Sequence, residues 1–216
     1  VSDADGANPI QLTHAGGPMV ANPRWSADGQ TFVMHTLLGG KRGIDVIGAN
    51  GGAVRRLAEA GAQPTWSRDG KWIYFGRGGQ VWKVPAGGGE AIRITHDGGG
   101  GAAFESADGK YLYYPKASHI WKARLSGGEE TQVTTEPLTY GCNFAVVEDG
   151  LYLISGSSDF FSPATLYFFN FGSSRLTPVT RIKSWGLGLT VSPDRKWILY
   201  SQGERSASLM IVEDFQ

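Results

Sequence analysis

Pro64-Thr65-Trp66-Ser67-Arg68-Asp69-Gly70 restates Pro23-Arg24-Trp25-Ser26-Ala27-Asp28-Gly29 at a distance of 41 residues. The tail of the phrase returns three more times, as Asp108-Gly109, Asp149-Gly150 and Asp194-Arg195, at spacings of 39, 41 and 45 residues. A unit of about 40 residues built from short strands is the signature of a β-propeller blade. Five copies in 216 residues leave about 43 residues per unit. The expected fold is all-β: one domain over residues 1–216, a five-bladed propeller of four-stranded antiparallel blades.

Each unit reads as the same four strands. The first runs into the Asp-Gly turn, where glycine takes a positive φ without steric cost. The second is apolar at nearly every position, as in Trp72-Ile73-Tyr74-Phe75 and Tyr111-Leu112-Tyr113-Tyr114. Such runs suit a strand with neighbours on both faces. A third strand, such as Val81 to Val84, meets a glycine turn, and a fourth, such as Ala91 to Thr95, ends the unit. The fifth unit has a third strand at Leu209 to Val212 but no fourth. Pro9-Ile10-Gln11-Leu12-Thr13-His14 matches Ala91-Ile92-Arg93-Ile94-Thr95-His96. The N-terminal segment is therefore expected to zip onto the last blade and remove two open sheet edges. The alternative is that it finishes a blade lying upstream.

Composition narrows the function classes. Twenty basic and twenty acidic side chains cancel, so the basic excess of a nucleic-acid domain is missing. The single Cys142 cannot form an internal disulfide, and it reads as a small buried hydrophobe. No apolar run approaches the ~18 residues of a membrane span. The reading allows a cytosolic chain, a chain with targeting segments removed, or a piece of a longer protein.

The repeat Pro-x-Trp-Ser-x-Asp-Gly-Lys-x-Ile-x-Phe resembles that of TolB-type propellers. Val1-Ser2-Asp3-Ala4-Asp5-Gly6, Ala145-Val146-Val147-Glu148-Asp149-Gly150 and Leu209-Met210-Ile211-Val212-Glu213-Asp214-Phe215 resemble the C-terminal region of bacterial regulators. Those proteins carry a winged-helix or kinase domain ahead of the propeller. The resemblance implies a sensor or interaction module, with more blades upstream. It carries over neither DNA binding nor phosphoryl transfer, because neither motif is present. A periplasmic or extracytoplasmic location is the expectation, with the cytoplasm left open.

Catalytic motifs are sparse. There is no G-x-S-x-G elbow, and Gly39-Gly40-Lys41-Arg42 lacks the rest of a P-loop. Gly98 to Gly101 reads as a flexible linker. His14, His35, His96 and His119 all fall at strand ends on one face, on separate strands, so no metal site and no cofactor is expected. Glu105 stands where the first two units have tryptophan. It is either ion-paired, with Arg24 as the nearby base, or a channel carboxylate that binds a ligand.

The same face collects Lys41, Arg42, Arg77 and Lys116 in loops between second and third strands. Local positive charge there would draw an acidic peptide, a phosphate or an anionic sugar. The long loop Ser155 to Ala164 holds Phe160 and Phe161, read either as partner anchors or as a cover for the fourth blade. Asn22, Gln63 and Asn143 open the first strands and would offer amide groups at the channel mouth. The leading expectation is a non-catalytic scaffold that binds a protein or peptide partner. A propeller hydrolase or lyase acting on a glycan, and a self-assembling structural fragment, are the alternatives. Monomer and edge-joined oligomer both stay open.

Overall fold

The computed structural model describes residues 1–3, 5–13, 19–160 and 162–203. Four antiparallel four-stranded sheets follow one another in chain order, and a two-stranded sheet comes after them. The first sheet holds β1 (Met19–Trp25), β2 (Thr31–Leu38), β3 (Lys41–Gly48) and β4 (Gly51–Glu59). The second holds β5 (Ala62–Trp66), β6 (Trp72–Arg77), β7 (Gln80–Pro85) and β8 (Ile92–Arg93). β9 (Phe104–Glu105), β10 (Tyr111–Lys116), β11 (His119–Arg124) and β12 (Thr131–Gln132) form the third. The fourth is β13 (Phe144–Val146), β14 (Gly150–Gly156), β15 (Ala164–Asn170) and β16 (Arg175–Ile182). β17 (Leu189–Val191) and β18 (Ile198–Tyr200) make the last. The expected third strand at Leu209 to Val212 lies outside the described residues.

Each sheet packs face to face on the next. Ile73 and Phe75 of β6 are fully buried in a core with Val33, Ile44 and Val46 of the first sheet. Tyr74, between them, points the other way, into a core with Leu112 and Tyr114 of the third sheet. Side chains alternate across a strand, so one apolar run feeds two cores. Burying each such side chain stabilises by roughly 1.5–3 kcal/mol. Phe144, Leu151 and Leu153 join the third and fourth sheets, and Trp185, Leu189 and Ile154 join the fourth and fifth.

The Ser-x-Asp turn is a small hydrogen-bonded knot, built four times. Ser67 Oγ donates to Asp69 Oδ1 at 2.7 Å and accepts from the Trp72 amide at 2.9 Å, while Asp69 accepts from the Lys71 amide at 3.0 Å. Ser26, Ser106 and Ser192 repeat it with Asp28, Asp108 and Asp194. The fourth unit has Val147 in the serine position and turns differently. Its Asp149 carboxylate goes to Arg195 at 2.7 Å, and Gly150 already opens β14. A Cβ on Gly150 would lie 2.3 Å from the Phe169 carbonyl oxygen, so only glycine fits.

The fourth strand expected over Ala91 to Thr95 is shorter in the structure, and its counterpart in the third unit is equally short. β8 stops at Arg93 and β12 at Gln132 because threonine side chains take over the pairing. The Val81 amide donates to Thr95 Oγ1 at 2.9 Å, and the Ile120 amide to Thr134 Oγ1 at 3.1 Å.

The N-terminal segment, residues 9–13 included, forms no strand among the described residues, and its expected partner at 209–212 lies outside them. The Ile10 amide donates to the Val1 carbonyl at 2.6 Å, and the Val1 amino group donates back to the Ile10 carbonyl at 2.8 Å. Local bonds thus use groups that a ladder would need, and Pro9 has no N–H to offer. Leu12 rests on Phe32, Met34 and Ile47, on the face of the first sheet away from the second. His14 lies outside the described residues.

Candidate functional site

A cleft of about 640 Å³ opens among the loops of the first four sheets. It gathers Arg42, Gln63, Arg77 and Lys116, four of the residues singled out from sequence. Arg42 comes from the start of β3, Arg77 and Lys116 from the ends of β6 and β10. Each lies beside a tight hairpin at the same end of its sheet. Among the described residues no aspartate or glutamate lines the cleft.

The three cations are held differently. The Arg77 guanidinium lies over the Trp82 ring, 3.6 Å from its centroid. Trp82 Nε1 donates to the Arg77 carbonyl at 3.1 Å, which fixes the pair. Lys116 is ion-paired with Glu130 and sits 4.9 Å from the Trp121 ring. Arg42 is exposed. Neither Arg42 nor Arg77 has a carboxylate within ion-pair distance among the described residues. Arg42 and Arg77 therefore supply the unbalanced charge. His35, behind Arg42, is pushed below the ordinary histidine range, first by burial and then by the Arg42 charge.

The floor of the cleft is glycine, and it is packed rather than a linker. A Cβ on Gly76 would lie 2.7 Å from the Gly101 amide nitrogen, and one on Gly101 would lie 2.7 Å from Pro115 Cγ. Two backbones touch here, which explains the run Gly98 to Gly101 better than flexibility does. Gln63 lies over this floor, its Oε1 2.9 Å from where a Gly101 Cβ would be. Gln63 and Asn22 both precede proline and both have left-handed backbone, φ 54° and 50°, at a β-bulge. Side chains other than glycine pay about 1–3 kcal/mol for such a conformation.

The other sequence-predicted residues are placed elsewhere. Lys41 is exposed at the tip of the β2–β3 hairpin and does not line the cleft. Asn143 is fully buried and offers nothing to a ligand. Its amide donates to Thr139 Oγ1 at 2.8 Å and to the Gly186 carbonyl at 3.0 Å, and accepts from the Gly188 amide at 2.8 Å. It is a latch between the fourth sheet and the loop leading to β17. Glu105 is neither paired with Arg24 nor a channel carboxylate. It accepts from the Tyr74 hydroxyl at 2.7 Å and the Arg68 amide at 2.9 Å, tying the second sheet to the third. Trp66, at the equivalent position, does the same job one sheet earlier, with Nε1 donating to the Arg24 carbonyl at 3.0 Å. Phe160 folds back onto buried Trp185, with ring centroids 4.4 Å apart, and touches Tyr140 at the cleft margin. Phe161 lies outside the described residues.

Sequence reasoning missed the role of Arg24. Its guanidinium donates to the Leu189 carbonyl of β17 at 3.2 Å and lies 5.3 Å from the Phe104 ring of β9. The Cys142 thiol is close enough to feel its charge and also meets the Asn22 side chain. Parts of the first, third, fourth and fifth sheets thus converge on one side chain. Asn22 belongs to this cluster, not to the cleft. Among the described residues no three His, Cys, Asp or Glu side chains gather as a metal site. No helix among them is long and apolar enough to cross a membrane.

This architecture is a TolB-like β-propeller fold. No protein-family model matches the chain. It is similar in structure to TolB from Acinetobacter baumannii, with a TM-score of 0.79 and 16% identity over 94% of this chain and 53% of that one. The chain thus spans about half the length of that protein. It is also similar to a TolB-like protein of Agrobacterium tumefaciens, at 0.70 and 19% identity over 84% and 74% of the two chains. Enzymes share the architecture too: an oligogalacturonate lyase in complex with manganese matches at 0.52 and 10% identity, over 83% and 69%. At these identities the likeness concerns the fold.

Proposed function

We propose that the chain is a single five-bladed propeller domain over residues 1–216 and acts as a non-catalytic scaffold for an acidic protein or peptide. The observation that carries this reading is the cleft in which Arg42 and Arg77 stand without carboxylate partners. A partner carboxylate could take both planar guanidinium forks in charge-assisted hydrogen bonds. Arg77 is already oriented by Trp82, so little side-chain freedom is lost on binding. Tyr140, 41% exposed at the margin, offers an aromatic surface of the kind that anchors partners. The packed glycine floor lets a peptide backbone approach closely. The TolB-like fold is compatible with an interaction module, and the same reading makes the chain part of a bacterial regulator in the periplasm or another extracytoplasmic space.

The test is direct titration of a fluorescent oligoglutamate peptide against the purified chain, read by anisotropy. Binding is expected to weaken with salt and to fall by about tenfold or more in an Arg42→Ala/Arg77→Ala double variant. Equal affinity in the two proteins at low salt removes the reading.

A further inference from the structure

Arg24 raises a charge problem that the cleft does not answer. A guanidinium has five N–H donors. The described structure gives Arg24 one protein acceptor, the Leu189 carbonyl, and one ring face, that of Phe104. No carboxylate among the described residues lies within ion-pair distance of it. Burial pulls this group below the ordinary arginine value, and the Cys142 thiol is pushed up by the same dry surroundings. Arg24 is half-buried, and a guanidinium with spare donors and no counter-charge is a place for an anion from outside.

The place has a way in. Arg24 lines a groove of about 500 Å³ between the first and fifth sheets. Its walls are mostly apolar, with Ala21 and Pro23 from the first sheet and Leu187, Leu189 and Leu199 from the fifth unit. Leu187 is 43% exposed and Leu199 71% exposed, so the groove is open to a ligand. The volume is that of a small-molecule site. Trp66 fixes the Arg24 backbone carbonyl, and the Leu189 carbonyl and the Phe104 ring hold the guanidinium.

We propose that this groove binds a small organic carboxylate with an apolar body, its head on Arg24 and its body along Leu187, Leu189 and Leu199. The head satisfies guanidinium donors that the protein leaves free. The body covers the leucines. The site is separate from the Arg42/Arg77 cleft and does not depend on it.

Octanoate, below its micellar concentration, is the probe, titrated calorimetrically into the full chain. Acetate supplies the head alone and 1-octanol the body alone. Octanoate is expected to bind, with acetate and octanol each about tenfold weaker or more, because each lacks one half of the recognition. Arg24→Gln is expected to lose the preference for octanoate over octanol, and Arg24→Lys to keep part of it. Arg24→Gln is also expected to unfold cooperatively in urea, so that its lost octanoate preference reports on the missing guanidinium and not on an unfolded chain. Octanol binding as tightly as octanoate overturns the proposal, as does octanoate affinity unchanged in Arg24→Gln. A large loss of stability in Arg24→Gln, with no octanoate binding by the native chain, assigns Arg24 to structure alone.

Discussion

Asn143→Ala offers the sharpest test of how the fourth sheet is joined to the fifth. The side chain is fully buried and is bonded to Thr139, Gly186 and Gly188, with a longer contact from the Cys142 thiol at 3.9 Å. Each bond contributes about 1 kcal/mol net, and the Gly186 carbonyl and Gly188 amide are left in the interior without a partner. The sum is a loss of about 3 kcal/mol. With a urea m-value of about 2 kcal/mol/M, the midpoint should drop by about 1.5 M. Asn143→Asp keeps the acceptor for Gly188 but loses both donors and buries a charge, so it should be worse at neutral pH and recover partly on acidification. Urea titrations followed by circular dichroism, with hydrogen exchange on residues 183–190, provide the assay. A midpoint shift under about 0.3 M at an unchanged slope would refute the latch.

Other perturbations probe other joints. Tyr74→Phe removes the hydroxyl that holds Glu105 and should cost about 1–2 kcal/mol in urea unfolding; no change would mean that solvent serves Glu105 equally well. Ile73→Ala, in the core between the first two sheets, should cost about 2–5 kcal/mol by the same measurement. Asp28, Asp69, Asp108 and Asp194 are held below the usual carboxylate range, first by their serine hydroxyls and then by backbone amides. The stability they supply is complete above the ordinary aspartate value and drains as pH falls through the lower native values. A quadruple Ser→Ala variant at positions 26, 67, 106 and 192 should therefore show a shallower loss of stability in acid than the native chain; matching slopes would count against the turn knots. Cys142 is buried and its thiol is pushed up, so it should resist iodoacetamide at neutral pH and react fully in urea. Rapid labelling of the native chain would contradict its burial.

The repeat was legible because it is local. The Ser-x-Asp-Gly turn closes over five residues, and the strand after it must be apolar throughout because sheets press on both its faces. Those two facts yield the meander, the order of the sheets and the end of the molecule at which Arg42, Arg77 and Lys116 appear. The failures also have local causes. The strand read from Pro9 to Thr13 ignored how readily Val1 and Ile10 bond to each other. The linker read at Gly98 to Gly101 mistook close packing for freedom, because glycine serves both and only the neighbouring backbone tells them apart.

What the amino-acid order alone determined is the unit: its length, its turn and its two-faced second strand. What only the tertiary structure decided is which members of different units meet. Arg24 and Leu189 are 165 residues apart, and Asn143 and Gly188 are 45 apart. Glu105, Asn143 and Gln63 look alike in sequence as polar residues on first strands. One became a tie between sheets, one a buried latch and one a side chain lying over a cleft floor. A repeat specifies each strand through its own pattern, whereas a polar side chain takes its role from neighbours that arrive only when the sheets have packed.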